Sequence, residues 1–192
     1  MEIVPRIHHI QKARRPNTYL LVDEDLTLID AGYPGNDDIV VEYIEGIGRQ
    51  AEELKPVLIT HSHPDHTGSL AELKELASIE VMVHEADTSI YGQGRHLVSY
   101  LSVFGATSLP IPFLCKTVAD EFLREGQVLP ILGGGLKVIH TLGYTLGSVC
   151  FYLKSRSAIF LGDMVVNIGR YVGVSMPFLN TGRDCTRNLC AA

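Results

Sequence analysis

The most constraining feature of the chain is a histidine-rich segment, His-Ser-His-Pro-Asp-His at residues 61–66, which directly follows an apolar run at residues 56–60. The apolar run predicts a buried strand. On an extended strand, side chains two residues apart point the same way, so His61 and His63 can present their imidazoles to one point. The fold must therefore bring these polar side chains, at the end of a buried strand, together at one site.

The composition of this segment is typical of a metal site rather than of a surface loop. Pro64 predicts a turn, after which Asp65 and His66 stand just ahead of a helix. Three imidazoles packed this closely would repel one another once protonated, and a buried site would disfavour their charge. Imidazole nitrogen and carboxylate oxygen are ordinary zinc ligands. We therefore expect a divalent cation to be bound by His61, His63, Asp65 and His66.

The length and composition predict a single domain over residues 1–192. A chain of 192 residues, 46% hydrophobic and 20% charged, is long enough for one core and too short to argue for two. The net charge of -6 argues against a nucleic-acid surface, because phosphate contacts depend on clustered Lys and Arg. We expect a small-molecule substrate instead.

Signals for membrane insertion or secretion are not found in the sequence. The first residues lack the central apolar run of a signal peptide, and nowhere do roughly eighteen apolar residues follow one another. The cysteines contain no Cys-x-x-Cys pair, which favours a reduced cytoplasm over a disulfide scaffold. The four cysteines are Cys115, Cys150, Cys185 and Cys190. Cys185 and Cys190 could bind a metal or form a disulfide, although two free thiols are the simpler interpretation.

The order of apolar runs predicts an α/β (α+β) fold in layers. Residues 19–22 and 27–29 are expected to form a hairpin, and the spacing of apolar residues predicts a helix over 37–53, weakened by Gly46 and Gly48. Residues 92–118 are expected to form a helix and a loop over the site. Further strands are expected at 56–60, 80–84, 136–141, 148–153 and 158–161, and further helices at 69–77 and 183–189.

Several segments together resemble the signatures of the metallo-β-lactamase superfamily. Residues 60–69 resemble its T-H-x-H-x-D-H-x-G motif, and residues 138–148 resemble its V-x-x-T-P-G-H-T-P-G-S segment. Residues 17–32 resemble its opening strands, and residues 160–163 resemble its F-x-G-D motif. The resemblance implies an αββα sandwich with a one- or two-metal site at the edge of its sheets.

The resemblance also implies a role for each ligand. His61 and His63 would bind the first metal, Asp65 and His66 the second, and Asp163, at a strand end, would bridge them. The metals would share a water of lowered pKa, and Asp65 would be the catalytic residue that orients it or shuttles its proton. Zn²⁺ is the expected metal, at one or two ions per chain, with Fe or Mn as alternatives.

The sequence departs from the family pattern at the third histidine of the first metal site, where it has Tyr144. A phenolate can bind a metal, but its free pKa near 10 means that the metal must first displace a proton. Three interpretations stay open. Tyr144 binds the metal, His140 substitutes for it, or Tyr144 only packs and the site has lost a ligand.

A second departure concerns the end of the chain. No histidine follows His140, whereas the family carries a further strand and a histidine that completes the second metal site, so we expect a truncated final element. An unpaired edge would expose backbone and apolar surface, which a homodimer could cover.

A third departure lies in the turn at 141–147. Relative to the family, Leu142 and Leu146 replace prolines and Tyr144 replaces histidine, and a single C-to-T base change produces each substitution. We interpret this as a mutated or decayed copy of an active hydrolase. The loss of both prolines should loosen the turn.

These observations support one leading function and two alternatives. The leading hypothesis is a metal-dependent hydrolase of a small ester, thioester, lactone or amide, similar in layout to hydroxyacylglutathione hydrolases and lactonases. The apolar residues from 91 to 113 would suit a hydrophobic acyl group, or simply pack. The alternatives are a degenerate member with weak or no catalysis, and an iron-dependent oxidoreductase in which His61, His63 and a carboxylate form a facial triad.

Overall fold

The structure, a computed structural model, describes residues 1–13, 16–91, 94–97, 99–103, 107–111, 117–168 and 171–174. Its strands are, in chain order, β1 (Glu2–Val4), β2 (Ile7–His9), β3 (Tyr19–Val22), β4 (Leu26–Ile29), β5 (Leu54–Leu58), β6 (Glu80–His84), β7 (Thr88–Tyr91), β8 (Gly94–Leu97), β9 (Ser99–Val103), β10 (Thr107–Ile111), β11 (Glu121–Leu123), β12 (Val128–Leu129), β13 (Leu136–His140), β14 (Val149–Leu153), β15 (Ala158–Phe160), β16 (Val165–Ile168) and β17 (Tyr171–Val174). Its α-helices are α1 (Asp37–Gly46), α2 (Pro64–Thr67) and α3 (Leu70–Leu76). None of these helices has the length and apolar character needed to cross a lipid bilayer.

Two sheets carry most of the strands. The first has the order β1-β2-β3-β4-β5-β6-β11, antiparallel from β1 to β4 and parallel from β4 to β11. The second is antiparallel, with the order β12-β13-β14-β15. Because β4, β5 and β6 are parallel, their carboxyl ends meet at one edge, where the histidine-rich segment leaves β5.

The two larger parts of the core lie between the sheets and under the helices. Between the sheets, Ile29 and Leu58 belong to the same cluster as Val138 and Phe151. On the opposite face of the first sheet, residues of β3 to β6 form a second cluster with buried residues of the helices, namely Val40 and Ile44 of α1 and Leu70 and Leu73 of α3. Alternation of apolar side chains along the strands gives the first sheet two buried faces.

The described residues contain three layers of the predicted αββα sandwich: the helices, the first sheet and the second sheet. This order agrees with the mixed α/β fold that the sequence predicts. The helix expected at 183–189, as well as Cys115, Cys185 and Cys190, lies outside the described residues.

The helix expected over residues 37–53 ends earlier, at Gly46. Gly48 adopts a left-handed φ of 77°, a conformation that glycine reaches without steric cost. The backbone N–H of Arg49 then donates to the carbonyl of Ile44 at 3.1 Å, which closes the helix end. The two glycines that interrupt the apolar pattern therefore mark the helix end, and a short 3₁₀ turn at Ala51–Glu53 leads into β5.

The prediction of a helix within residues 92–118 is wrong for the described part of that range. Strands β8, β9 and β10 lie there instead, with β9 and β10 paired antiparallel. Nine of the 27 residues of this segment are Val, Ile, Thr, Tyr or Phe, whose side chains favour strands. The antiparallel pair β16 and β17 was not expected either. The other expected strands and the hairpin of β3 and β4 are confirmed within one or two residues.

The core between the sheets predicts a large effect at Phe151. This side chain is 0% exposed, so Phe151→Ala should lower the free energy of unfolding by about 3–5 kcal/mol through lost burial and a cavity. Ile159, on the neighbouring strand, is 41% exposed, and Ile159→Ala should cost about 1 kcal/mol or less. Urea titration measures both values. Similar losses for the two variants would contradict this packing.

Candidate metal centre

The centre lies where the two sheets meet at the carboxyl end of β5. The carbonyl of Thr60 accepts a hydrogen bond from the backbone N–H of Val149 in β14, at 2.8 Å. This contact joins the first sheet to the second directly before the histidines. The chain then turns at Pro64 into α2, whose first turn contains Asp65 and His66.

The histidine rings of this segment converge, as its spacing predicts. The ring centroid of His61 lies 4.7 Å from that of His63 and 4.0 Å from that of His66. His61, His66 and Asp163 each offer a ligand atom, and these three atoms lie within 4.8 Å of one another. Folding therefore brings Asp163 to the histidines across nearly a hundred residues of sequence.

Asp163 is held beside the histidines by the turn that follows β15. Its Oδ1 lies 3.3 Å from Nε2 of His66. Gly162, at φ 52°, packs so closely that an added Cβ would lie 2.6 Å from Oγ1 of Thr60. Glycine before Asp163 therefore lets this turn approach the end of β5.

His66 is oriented by Asp30, a residue that the sequence places only within the segment 17–32 that resembles the opening strands of the family. Asp30 is buried, and its Oδ2 lies 2.8 Å from Nδ1 of His66. The same carboxylate accepts hydrogen bonds from the backbone N–H of Thr60 at 2.9 Å and from its hydroxyl at 2.8 Å. A carboxylate on one ring nitrogen fixes the orientation of the ring, and the other nitrogen can bind a metal once the metal has displaced its proton. In His66 that other nitrogen, Nε2, faces Asp163.

The electrostatics separate His66 from the other two histidines. Burial opposes charge on His66, but the carboxylates of Asp30 and Asp163 raise its pKa to about 10. Burial and the neighbouring His66 lower the pKa of His63 to about 4. Burial, His66 and His63 likewise hold the pKa of His61 well below its usual range. His61 and His63 are therefore neutral near pH 7, the form in which imidazole binds metals.

The Nε2 atom of His61 provides the test of whether a metal fits. It is buried and has no hydrogen-bond partner among the residues that the structure describes. Buried polar atoms in proteins are normally bonded, and a lone pair on a neutral imidazole can be satisfied by a cation. With a neutral imidazole, a carboxylate-oriented imidazole and a carboxylate converging, the donor set fits a divalent metal ion.

Tyr144 enters the centre, and His140 does not. The ring of Tyr144 lies 4.9 Å from that of His61 and 5.0 Å from that of His63, and its hydroxyl donates to Oδ2 of Asp163 at 2.8 Å. Burial and the Asp163 carboxylate raise the pKa of Tyr144, so the phenol keeps its proton. His140 instead stacks on His84, and its Nε2 donates to the carbonyl of Leu146 at 3.0 Å.

Asp65 lies at the rim of the centre. Its Oδ2 is 3.9 Å from Nε2 of His66, and its side chain is 28% exposed. Burial raises the pKa of Asp65, the charge of His66 opposes that rise, and Asp163 adds to it. A partly exposed carboxyl group with a raised pKa beside a polar centre is suited to accepting a proton.

Comparison with known proteins identifies the relatives of this chain. A family model described as "Metallo-beta-lactamase superfamily" matches residues 12–187. The chain is 31% identical over 162 residues to the probable metallo-hydrolase YqgX of Bacillus subtilis. The alignment covers 80% of this chain and 67% of that protein. It is 26% identical over 152 residues to a hydroxyacylglutathione hydrolase of Pelagibacter ubique, in an alignment that covers 79% of this chain and 52% of that protein.

A solved structure shows the same fold. The native FEZ-1 metallo-β-lactamase from Legionella gormanii superposes with a TM-score of 0.71 at 18% identity, over 100% of this chain and 73% of that one. The chain thus spans about half to three quarters of the length of the proteins that it resembles.

The depressed pKa of His63 predicts a loss of stability in acid for the metal-free protein. Between pH 6.5 and about 4, His63 takes up a proton in the unfolded chain but not in the folded one, so the free energy of unfolding falls as the pH falls. The contribution is of the order of 3 kcal/mol at pH 4. Urea titration of the metal-free protein across this range should show a smaller loss in His63→Gln. Equal losses in both proteins would contradict the assignment.

Proposed function

The chain belongs to the metallo-β-lactamase superfamily, and we propose on that premise that it is a metal-dependent hydrolase of small acyl compounds, with thioesters as the leading substrate class. The observation that carries the proposal is the buried Nε2 of His61, which lies in one cluster with His66 and Asp163. The thioester preference is supported by the relative named hydroxyacylglutathione hydrolase, because an acylglutathione is a thioester.

The ligand set that we propose follows the contacts of the centre. His61, His63, Asp65, His66 and Asp163 would hold one or two Zn²⁺ ions, with Tyr144 at the edge of the set. When bound, a zinc ion supplies a Lewis acid and lowers the pKa of its water towards roughly 7, which provides a nucleophile for an acyl carbon.

The protein groups around the centre would orient the ligands and move the proton. Asp30 holds His66 through Nδ1 at 2.8 Å. Asp65 would accept a proton from the attacking water, because its carboxyl group is partly exposed and burial raises its pKa. Tyr144 binds Oδ2 of Asp163 and leaves Oδ1 facing His66. Tyr144 could join the ligand set only as a phenolate, after losing its proton.

A degenerate hydrolase with weak catalysis is the second candidate. The observation that favours it is the hydrogen bond from Tyr144 to Asp163, which occupies a lone pair of a carboxylate proposed as a metal ligand. Under this candidate the fold and the histidine cluster persist, but zinc binds weakly. Metal analysis separates the possibilities, since bound iron in place of zinc would favour the oxidoreductase alternative.

Loss of His61 should abolish both metal binding and hydrolysis. His61→Ala removes a buried neutral ligand, so we expect a fall of more than about 100-fold in kcat/KM, because changes to groups that only orient a ligand already cost 10–100-fold. His9→Ala, in β2 of the same sheet, is the matched control and should keep its zinc and its activity. The assay follows a hydroxyacyl thioester of glutathione with and without chelator. Full activity in His61→Ala would refute the catalytic assignment.

Restoring histidine at position 144 should strengthen the centre. Tyr144→His replaces a phenol of raised pKa by an imidazole that binds without losing such a proton, and it frees Oδ2 of Asp163. We expect zinc affinity to rise by about tenfold or more, by analogy with the effect of groups around metal ligands. Tyr152→His in β14 is the matched control. Unchanged affinity in Tyr144→His would argue that position 144 lies outside the ligand set.

A further inference from the structure

A second buried carboxylate, Asp87, lies behind the metal centre and takes no part in the proposed chemistry. It ends the short 3₁₀ turn Glu85–Asp87 that follows β6, and it is 0% exposed. Burial raises its pKa, and hydrogen bonds from Thr145, Ser62 and Gly147 oppose that rise. Burying a carboxylate costs free energy unless several hydrogen-bond donors surround it, so the buried position of Asp87 requires an explanation.

The donors to Asp87 come from two segments that both reach the centre. Oδ2 accepts hydrogen bonds from the backbone N–H of Ser62 at 3.0 Å and from the hydroxyl of Thr145 at 2.8 Å. Oδ1 accepts a hydrogen bond from the backbone N–H of Gly147 at 2.7 Å. Ser62 lies between His61 and His63, and Thr145 follows Tyr144.

The turn that carries Tyr144 is closed by the same network. The hydroxyl of Thr145 lies 2.8 Å from that of Ser148, which also accepts the backbone N–H of Thr145 at 2.9 Å. The backbone N–H of Thr141 donates to the carbonyl of Ser148 at 2.8 Å. Hydrogen bonds to Asp87 and Ser148 therefore hold a turn that lacks both prolines of the family pattern.

Two features make this contact specific for a carboxylate. A Cβ added at Gly147 would lie 2.7 Å from the backbone nitrogen of Asp87 and 2.8 Å from its Cγ, so glycine allows the close approach. Backbone N–H groups donate to both oxygens, at Gly147 and at Ser62. An asparagine would have to turn its NH₂ group towards one of these N–H donors, which would leave that donor unsatisfied.

From this network we infer that Asp87 is a positioning residue, which fixes the His61–His63 segment and the Tyr144 turn relative to each other and so pre-forms the metal centre. The inference rests on the proposed function, since a pre-formed centre serves the protein only if that centre binds a metal for hydrolysis. It extends that function by assigning the alignment of the two segments to one carboxylate that touches neither substrate nor metal. Support groups of this kind commonly tune metal affinity.

The test uses the full chain and measures zinc affinity by competition with a chelator. Asp87→Asn and Thr145→Val should each weaken zinc binding by about 10–100-fold. Thr145→Ser keeps the hydroxyl that donates to Asp87 and should bind zinc like the parent protein. This conservative pair separates the hydrogen bond from packing, and it decides the question even where Asp87→Asn fails to fold. Parent-like affinity in Thr145→Val, or equal weakening in Thr145→Ser, would overturn the inference.

A metal-free measurement separates this inference from the proposed function. Hydrogen–deuterium exchange of the metal-free protein should show faster exchange in both residues 60–67 and 141–148 of Thr145→Val, but not in α1 or in Thr145→Ser. Faster exchange in only one of the two segments, or throughout the chain, would overturn the positioning role. A parent protein that binds no zinc would refute the proposed function, and the exchange pattern would still decide the role of Asp87.

Discussion

The contact between the buried Asp30 carboxylate and His66 is the interaction on which the centre depends. It ties the end of β4 to the first turn of α2, and the backbone N–H of Ala31 reinforces it by donating to the carbonyl of His66 at 2.8 Å. Thr60 completes the arrangement with two hydrogen bonds to the same carboxylate. Without Asp30, no carboxylate would fix the orientation of the buried His66 ring, and Nε2 of His66 would not be held facing Asp163.

Carboxylates from three parts of the fold organise the centre. Asp30 orients a ring, Asp163 faces the rings, and Asp87 joins the loops that carry them. Each comes directly after a strand or within a few residues of one, so the sheets supply the rigidity that the loops lack. These carboxylates also favour a cation near Nε2 of His61, an atom that has no hydrogen-bond partner in the described structure.

The sequence predicted the parts of the site that are local. The spacing of His61 and His63 at a strand end is readable because side-chain direction on a strand alternates over two residues. Asp30 and Asp87 were missed as partners, because their contacts cross 36 residues to His66 and 60 residues to Gly147. The helix predicted over 37–53 is too long because the prediction followed the apolar spacing past Gly48. The left-handed backbone of Gly48 ends the helix. Tyr144 could be placed at the site only by family resemblance, and its hydrogen bond to Asp163 needed three-dimensional structure.

We propose that the histidine-rich corner and Asp163 together hold a cation. X-ray absorption at the zinc edge tests this on protein loaded with zinc and then dialysed. We expect the zinc to be retained, with imidazole nitrogen scatterers at about 2.0–2.1 Å and a carboxylate oxygen at a similar distance. Zinc lost on dialysis, or retained with a spectrum that lacks imidazole scattering, would contradict it.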